Sequence, residues 1–181
     1  MELTRQGERD RYNHLYDVTK DYVCKGIRLP ATKRDLLSLP CRGSYLDVGC
    51  GKGQMLEYAR EIGFSPTVGV DHAALKLSLF SVAGVHALPF RDKSFDVAVC
   101  FDVLEHLIPG DDELCCRELA RVARKHVLVS ASNAKSVYDG WDLHINKRDY
   151  GVWQNLLKLW FPGAINTMPG EHSSPMWRVD L

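Results

Sequence analysis

The chain has 181 residues, 45% of them hydrophobic and 25% charged, with 23 basic and 23 acidic side chains and a formal net charge of zero. That length and composition suit one globular domain with a continuous core and exclude a disordered chain. Neutrality argues against a long nucleic acid gripped mainly through its phosphates, although a small phosphate-contacting rim is compatible with it.

The opening MELTRQGERDRYNHL is too charged for a secretory signal. No apolar run approaches the roughly 20 residues that span a bilayer, so no membrane partner is expected. The six cysteines, Cys24, Cys41, Cys50, Cys100, Cys115 and Cys116, form no C-x-x-C pair. They are expected as free thiols without zinc, which implies a reducing, cytoplasmic location.

From about residue 8 to 25 the apolar positions Tyr12, Leu15, Tyr16, Val18, Tyr22 and Val23 recur near a 3.6 period and predict a helix, ended by Gly26 and Pro30. The charges between them, Glu8, Arg9, Asp10 and Arg11 included, read as its solvated face. Residues 28–42 are a connector with a short helix at 33–39. Strands are predicted at 44–48, 67–70, 82–86, 95–101 and 126–130. Helices are predicted between them at 53–62, 73–80 and 111–124. In the last, Asp111 is the expected cap, and Leu114, Cys115, Leu119 and Val122 the buried face. The polar stretch ASNAKSVYDGWDLHINK then follows, long for a connector and so a candidate functional loop. An amphipathic helix over 148–161 buries Trp153, Leu156, Leu157 and Trp160. The tail from 164 supplies one or two final strands around Gly170 and Pro175. Alternating β and α units predict an α/β fold, a doubly wound, mostly parallel Rossmann-like sheet with an N-terminal helix. We expect a single domain over 1–181: a helical lid and connector (1–43), a cofactor-binding core (44–132), and an acceptor loop, helix and final strands (133–181).

The run YLDVGCGKGQML (residues 45–56) sits between a predicted strand and helix. Gly49, Gly51 and Gly53 allow a sharp turn and close approach of a ligand to backbone N–H groups at the helix start. The order Asp47-x-Gly49-x-Gly51-x-Gly53 is not the dinucleotide G-x-G-x-x-G, because Gln54 stands at the third glycine. No Gly-Lys-Ser/Thr follows, which excludes a P-loop.

With these residues in view, the sequence resembles the class I S-adenosyl-L-methionine (SAM)-dependent methyltransferases, in particular their broad small-molecule ("type 11") group. LDVGCGKG resembles their glycine motif and VGVDHA their second strand with its terminal acid. HALPFRDKSFDVAVCFDVLEHL resembles the block around their fourth strand, and RELARVARKHVLVSAS the helix and strand after it. The resemblance implies that SAM is the cofactor. It places the ribose on Asp71 and the methionine portion along Asp47, Gly49, Gly51 and Gly53, with His72, Leu88 and Phe101 as flanking contacts. Many relatives carry an acid four residues before the Leu of LPF; here that residue is Gly84, so backbone near Ala87–Leu88 is expected to serve the adenine.

FDVLEHL places Asp102, Glu105 and His106 after the fourth strand, at i, i+3 and i+4 if a helix begins there. His106 reads as a general base or as a residue that shapes the pocket. His144, on the long loop, is expected to converge with it, and Asp102 completes the catalytic set. Tyr12 and Tyr16 are candidates to close over the site and Trp141 to line the acceptor pocket, while His14, His86, His126 and His172 read as structural or surface residues. The resemblance implies methyl transfer to a small molecule, most plausibly at oxygen, without a metal. One alternative is a metal-dependent RNA 2′-O-methyltransferase using Asp102, Glu105, His106 and His144, since E-x-x-E-H followed by a further His resembles that group. Another is a non-catalytic SAM-binding partner subunit.

Overall fold

The computed structural model describes residues 3–19, 28–168 and 175–181. Expectations for Tyr22, Val23, Cys24, Gly26, Gly170 and His172 lie outside the described residues.

Helix α1 (Arg5–Val18) starts at Thr4, whose hydroxyl accepts the Gly7 N–H. It stops at Thr19 instead of continuing to about residue 25. The Thr19 N–H and hydroxyl both donate to Leu15 O, and the residue is already extended. Helix α2 (Arg28–Ser38) begins earlier than the 33–39 segment expected, and Arg42 donates to the carbonyls of Leu37, Leu39 and Cys41 at its end.

The sheet then assembles from β1 (Tyr45–Val48), β2 (Thr67–Asp71), β3 (Phe80–Val82), β4 (Phe95–Cys100) and β5 (Ala123–Ser130), all parallel. With β8 (Ile165–Asn166) and β9 (Met176–Asp180) the order is β3-β2-β1-β4-β5-β9-β8, and β9 is antiparallel to both neighbours. The order reverses at β1, so the β1–β4 crevice is the topological switch point, where ligands of such sheets bind at the carboxyl edge.

Two elements differ from expectation. Residues 73–79 are irregular rather than helical, with Leu79 at φ +52°: Leu75 packs toward α1, whereas Leu77 packs into the core beside Gly53. Two leucines two positions apart serve different layers, which suits a non-helical chain and not a helix face. Consequently the third strand lies at Phe80–Val82, ahead of the predicted 82–86.

Strand β4 is buried along its whole length, with Ala98 and Cys100 facing one layer and Val97 and Val99 the other. The first layer holds α4 (Asp111–Val122) and α5 (Tyr150–Trp160), contributing Leu119, Trp153 and Leu157; the second holds α2 and α3 (Gln54–Glu61), contributing Leu36, Leu56 and Ala59. In α4 the N-cap is Gly110, whose N–H Asp112 accepts, rather than Asp111. Leu114 is exposed and Cys116 takes the buried position beside Cys115. The five described cysteines are free thiols, and no described helix is long and apolar enough to cross a membrane. A hairpin, β6 (Val137–Tyr138) and β7 (Trp141–Asp142), turns through Asp139 and Gly140, both at positive φ.

Candidate active site

The turn after β1 is anchored by its backbone, since the N–H groups of Gly49 and Cys50 both donate to Val70 O. Gly49 has φ +76°, and a Cβ there would lie 2.3 Å from Val103 Cγ2. The turn therefore brings bare backbone against the loop that follows β4. Asp71 ends β2 and crosses to the same turn. Its Oδ2 accepts the Gly51 N–H at 3.0 Å, and its Oδ1 accepts the Ala73 N–H at 3.0 Å. Each carboxylate oxygen retains acceptor capacity for a diol. Asp47 lies on β1 beneath the turn. Burial, then the neighbouring Asp71 charge, pushes its carboxyl up to about 7. Burial, then Asp47 and Asp71, also raises the Cys50 thiol, so that cysteine is a packing group and not a nucleophile.

A cleft opens above the carboxyl edge. The sheet side supplies Gly49, Asp71 and Asp102; α1 supplies Tyr12 and Tyr16 from above. Tyr16 Oη stands 3.1 Å from where a Cβ on Gly51 would lie, and the Tyr12 ring packs 5.0 Å from that of His72. Burial lowers the His72 imidazole; Asp71 opposes that and Arg9 adds to it. Helix α1 is docked by a small apolar cluster of Tyr12, Leu15, Ala73 and Leu143, by Asn13 accepting the Ala74 N–H, and by a two-point Arg5–Asp111 ion pair. Tyr12 and Tyr16 thus line the cleft from the side of α1. Trp141 stands instead near the surface under Arg11, whose guanidinium lies 4.9 Å from its ring.

After β4, Asp102 adopts φ +58° and is locked to β5, accepting from Ser130 Oγ at 2.6 Å while its N–H donates to the same hydroxyl. Leu104–His106 form a 3-10 turn, so Asp102 is not on one α-helical face with Glu105 and His106. His106 and His144 do converge, with ring centroids 4.5 Å apart. Their ligand atoms and a Glu105 carboxylate oxygen all lie within 4.8 Å of one another, without Asp102. His106 Nδ1 is 2.9 Å from Leu143 O and 2.6 Å from Tyr12 Oη; His144 Nδ1 is 2.6 Å from Ala134 O. A carbonyl only accepts, so each Nδ1 carries the proton and each Nε2 is the basic nitrogen.

The expected flanking contacts divide. His72 lines the cleft, whereas Leu88 packs in the core with its N–H donating to Glu118 at 2.7 Å, which removes that N–H from any ligand. Phe101 packs against the α2–α3 layer. Gly53 caps α3 behind the turn, next to Leu77. Of the histidines expected to be structural, His126 pairs with Asp180 at 2.8 Å, while His86 borders a cavity beyond His72. The sequence reading missed two features there. The Asp139–Gly140 turn carries a recognisable hairpin signal, and Glu8, buried in α1, carries none.

Residues 46–130 match the family model described as "Methyltransferase domain". No curated protein matches the chain in sequence. Among solved structures, it resembles the Burkholderia thailandensis 1,6-didemethyltoxoflavin-N1-methyltransferase, solved with 1,6-didemethyltoxoflavin and S-adenosylhomocysteine, at TM-score 0.73 and 16% identity, covering 99% of this chain and 92% of that one. The methyltransferase domain of bacterial CtHen1 gives TM-score 0.60 and 18% identity over 85% of this chain and 97% of that one. A Haloferax volcanii complex between the Trm112 methyltransferase activator and a methyltransferase gives 0.67 and 13% over 98% and 97%. The parallel sheet with its switch point, the glycine turn and the family match agree: residues 46–130 match a methyltransferase domain within a chain that has the fold of SAM-dependent methyltransferases, and SAM is the cofactor that this match indicates.

Proposed function

We propose that the protein transfers the methyl group of SAM to an oxygen of a small-molecule acceptor held between the Asp102–Leu107 segment and the loop carrying His144. SAM lies along the glycine turn with its ribose hydroxyls on Asp71. The observation that carries this reading is the meeting of His106 and His144 beside a cleft whose floor is Gly49 and Asp71. The likeness to an enzyme solved with a small heteroaromatic acceptor supports a small molecule. In the transfer the sulfonium S–CH3 bond breaks, the O–CH3 bond forms, and the electron pair returns to sulfur. The acceptor proton passes to His106 Nε2, while Leu143 O holds the ring by its Nδ1–H.

A second reading is favoured by one observation. Two imidazoles with Nδ1–H on backbone carbonyls, and the buried Glu105 carboxylate within 4.8 Å of both, form the donor set and outer-shell bonding that a divalent cation takes. Glu105, His106 and His144 would hold it. Such an ion supplies Lewis acidity that lowers the acceptor hydroxyl pKa, and the acceptor could then be an RNA 2′-hydroxyl.

Methyl transfer to a panel of phenols and other small hydroxyl compounds, and to a short RNA with a free 3′-terminal diol, separates the two. For a base, His106→Ala lowers turnover by roughly 10²–10⁴-fold with S-adenosylhomocysteine affinity unchanged, and chelator has no effect. For a metal, chelator and His144→Ala both abolish transfer, and magnesium or manganese restores the wild type alone. Full turnover in both variants would sink both readings.

A further inference from the structure

Beyond His72 the cleft continues into a second cavity under the first half of α1. The two share His72, Val85, His106 and Leu107, and the second is closed by Glu8 from α1 and by Gly84 from the loop after β3. A nucleoside whose ribose sits on Asp71 has this space for its base. Adenine brings an amino group with two N–H donors, which need an acceptor once water is excluded. The loop supplies no carboxylate for it, only the His86 imidazole at the cavity wall. A Cβ built on Gly84 would lie 2.4 Å from His86 Cε1, so the imidazole already fills that position. The Leu88 N–H, expected to serve the base, is held by Glu118.

Glu8 faces the cavity from the other side. It is 5% exposed, its N–H is fixed in the helix by Thr4 O, and its Oε1 is held by Arg11 at 2.9 Å. Its Oε2 is buried and has no hydrogen-bond partner among the described residues. A carboxylate oxygen in that state is costly unless a donor arrives. Burial raises the Glu8 carboxyl and the Arg11 charge opposes the rise, favouring the ionised, accepting form.

We propose that Glu8 Oε2 accepts the adenine amino group of SAM, so that the N-terminal helix, and not the loop after β3, recognises the base. The assignment rests on the placement of the ribose on Asp71. It makes α1 part of the cofactor site as well as its cover.

Calorimetry tests it with two ligands, S-adenosylhomocysteine and the analogue carrying hydrogen in place of the 6-amino group. The wild type should prefer the amino ligand by about tenfold or more, the scale of one charge-assisted hydrogen bond. Glu8→Ala should bind the two alike. Glu8→Gln, nearly isosteric and still an acceptor, should keep a reduced preference, and it carries the test if the alanine variant does not fold. Asp71→Ala should weaken both ligands equally. A preference unchanged in the Glu8 variants, or absent in the wild type, overturns the role of Glu8. Unchanged affinity in Asp71→Ala overturns the placement of the cofactor itself.

Discussion

Burial and the charge of Asp71 hold the Asp47 carboxyl at about 7, so near neutral pH it is partly protonated beside the turn assigned to the cofactor. SAM brings a sulfonium and an ammonium, and either cation near Asp47 favours its ionised form. Binding should therefore release a fraction of a proton between about pH 6 and 7, and affinity should rise with pH across that window. Calorimetry in two buffers of different ionisation enthalpy would show it as a difference in apparent heat; equal heats would remove Asp47 from the cofactor's surroundings. Stability moves the other way. The folded-state value lies above the ordinary carboxylate value, so the unfolded chain ionises first, and the contribution of Asp47 falls as pH rises from about 4 through 7. At this scale the sequence was informative where function and local pattern coincide. Gly49, Asp71 and Asp102 each follow an apolar run and could be placed at a strand end without the fold. Glu8 could not: it stands among interleaved charges that read as a solvated face, and only the docking of α1 onto residues far along the chain buries it.

Among the elements, the turn between β1 and α3 tolerates least change. Gly49→Ala meets two obstacles, a left-handed φ and the Val103 side chain 2.3 Å from the new Cβ. The cost should be about 2–3 kcal/mol, with at least a tenfold loss of S-adenosylhomocysteine affinity. Gly63→Ala is the control: its φ is +98° but nothing lies within 4 Å of the added Cβ. It should cost about 1 kcal/mol and leave binding intact, as read by denaturant unfolding and calorimetry. Equal binding by the two variants would show that the turn does not carry the cofactor. The long periodic elements, α4, β4 and α5, could be read from hydrophobic spacing. The segment 73–80 could not, because Leu77 and Phe80 stand three apart as on a helix, while Leu75 and Leu77 take partners in separate layers. Such partition between layers is a tertiary fact and leaves no local trace.

Across the whole molecule, chemistry gathers at the carboxyl edge and an ionic clasp holds the opposite end. Asp96, at the start of β4, accepts the Ser44 N–H at 3.0 Å and pairs with Arg124 at 3.1 Å and Lys125 at 2.9 Å, tying the entry of β1 to β5. Burial alone would raise this carboxyl, but the hydrogen bonds from Lys125, Arg124 and Ser44 outweigh it and hold it well below the usual range. A depressed value means that its contribution is complete above the unfolded-state pKa near 4 and fades as pH falls below it. Asp96→Ala should lower stability by about 2–3 kcal/mol at pH 7, with S-adenosylhomocysteine affinity unchanged. The gap to the wild type should narrow in urea melts below about pH 4, and a gap independent of pH would refute the ionic account. The parallel order of the first five strands was legible from βα alternation, but the place of β9 was not, since no local signal says which edge a tail strand joins.

That place has a consequence for how the protein comes into being on the ribosome. Strand β9 slots between β5 and β8, pairing Met176 with Ser130, and Ser130 is the residue that fixes Asp102. Until residues 176–180 have been synthesised, the outer edge of β5 offers unpaired N–H and C=O groups and the apolar face that Trp177 later covers. A nascent chain halted before that point would hold every residue assigned to SAM and still lack the strand that steadies the rim of its site, so binding competence should emerge only once residues 176–180 have been made and this five-residue strand docks.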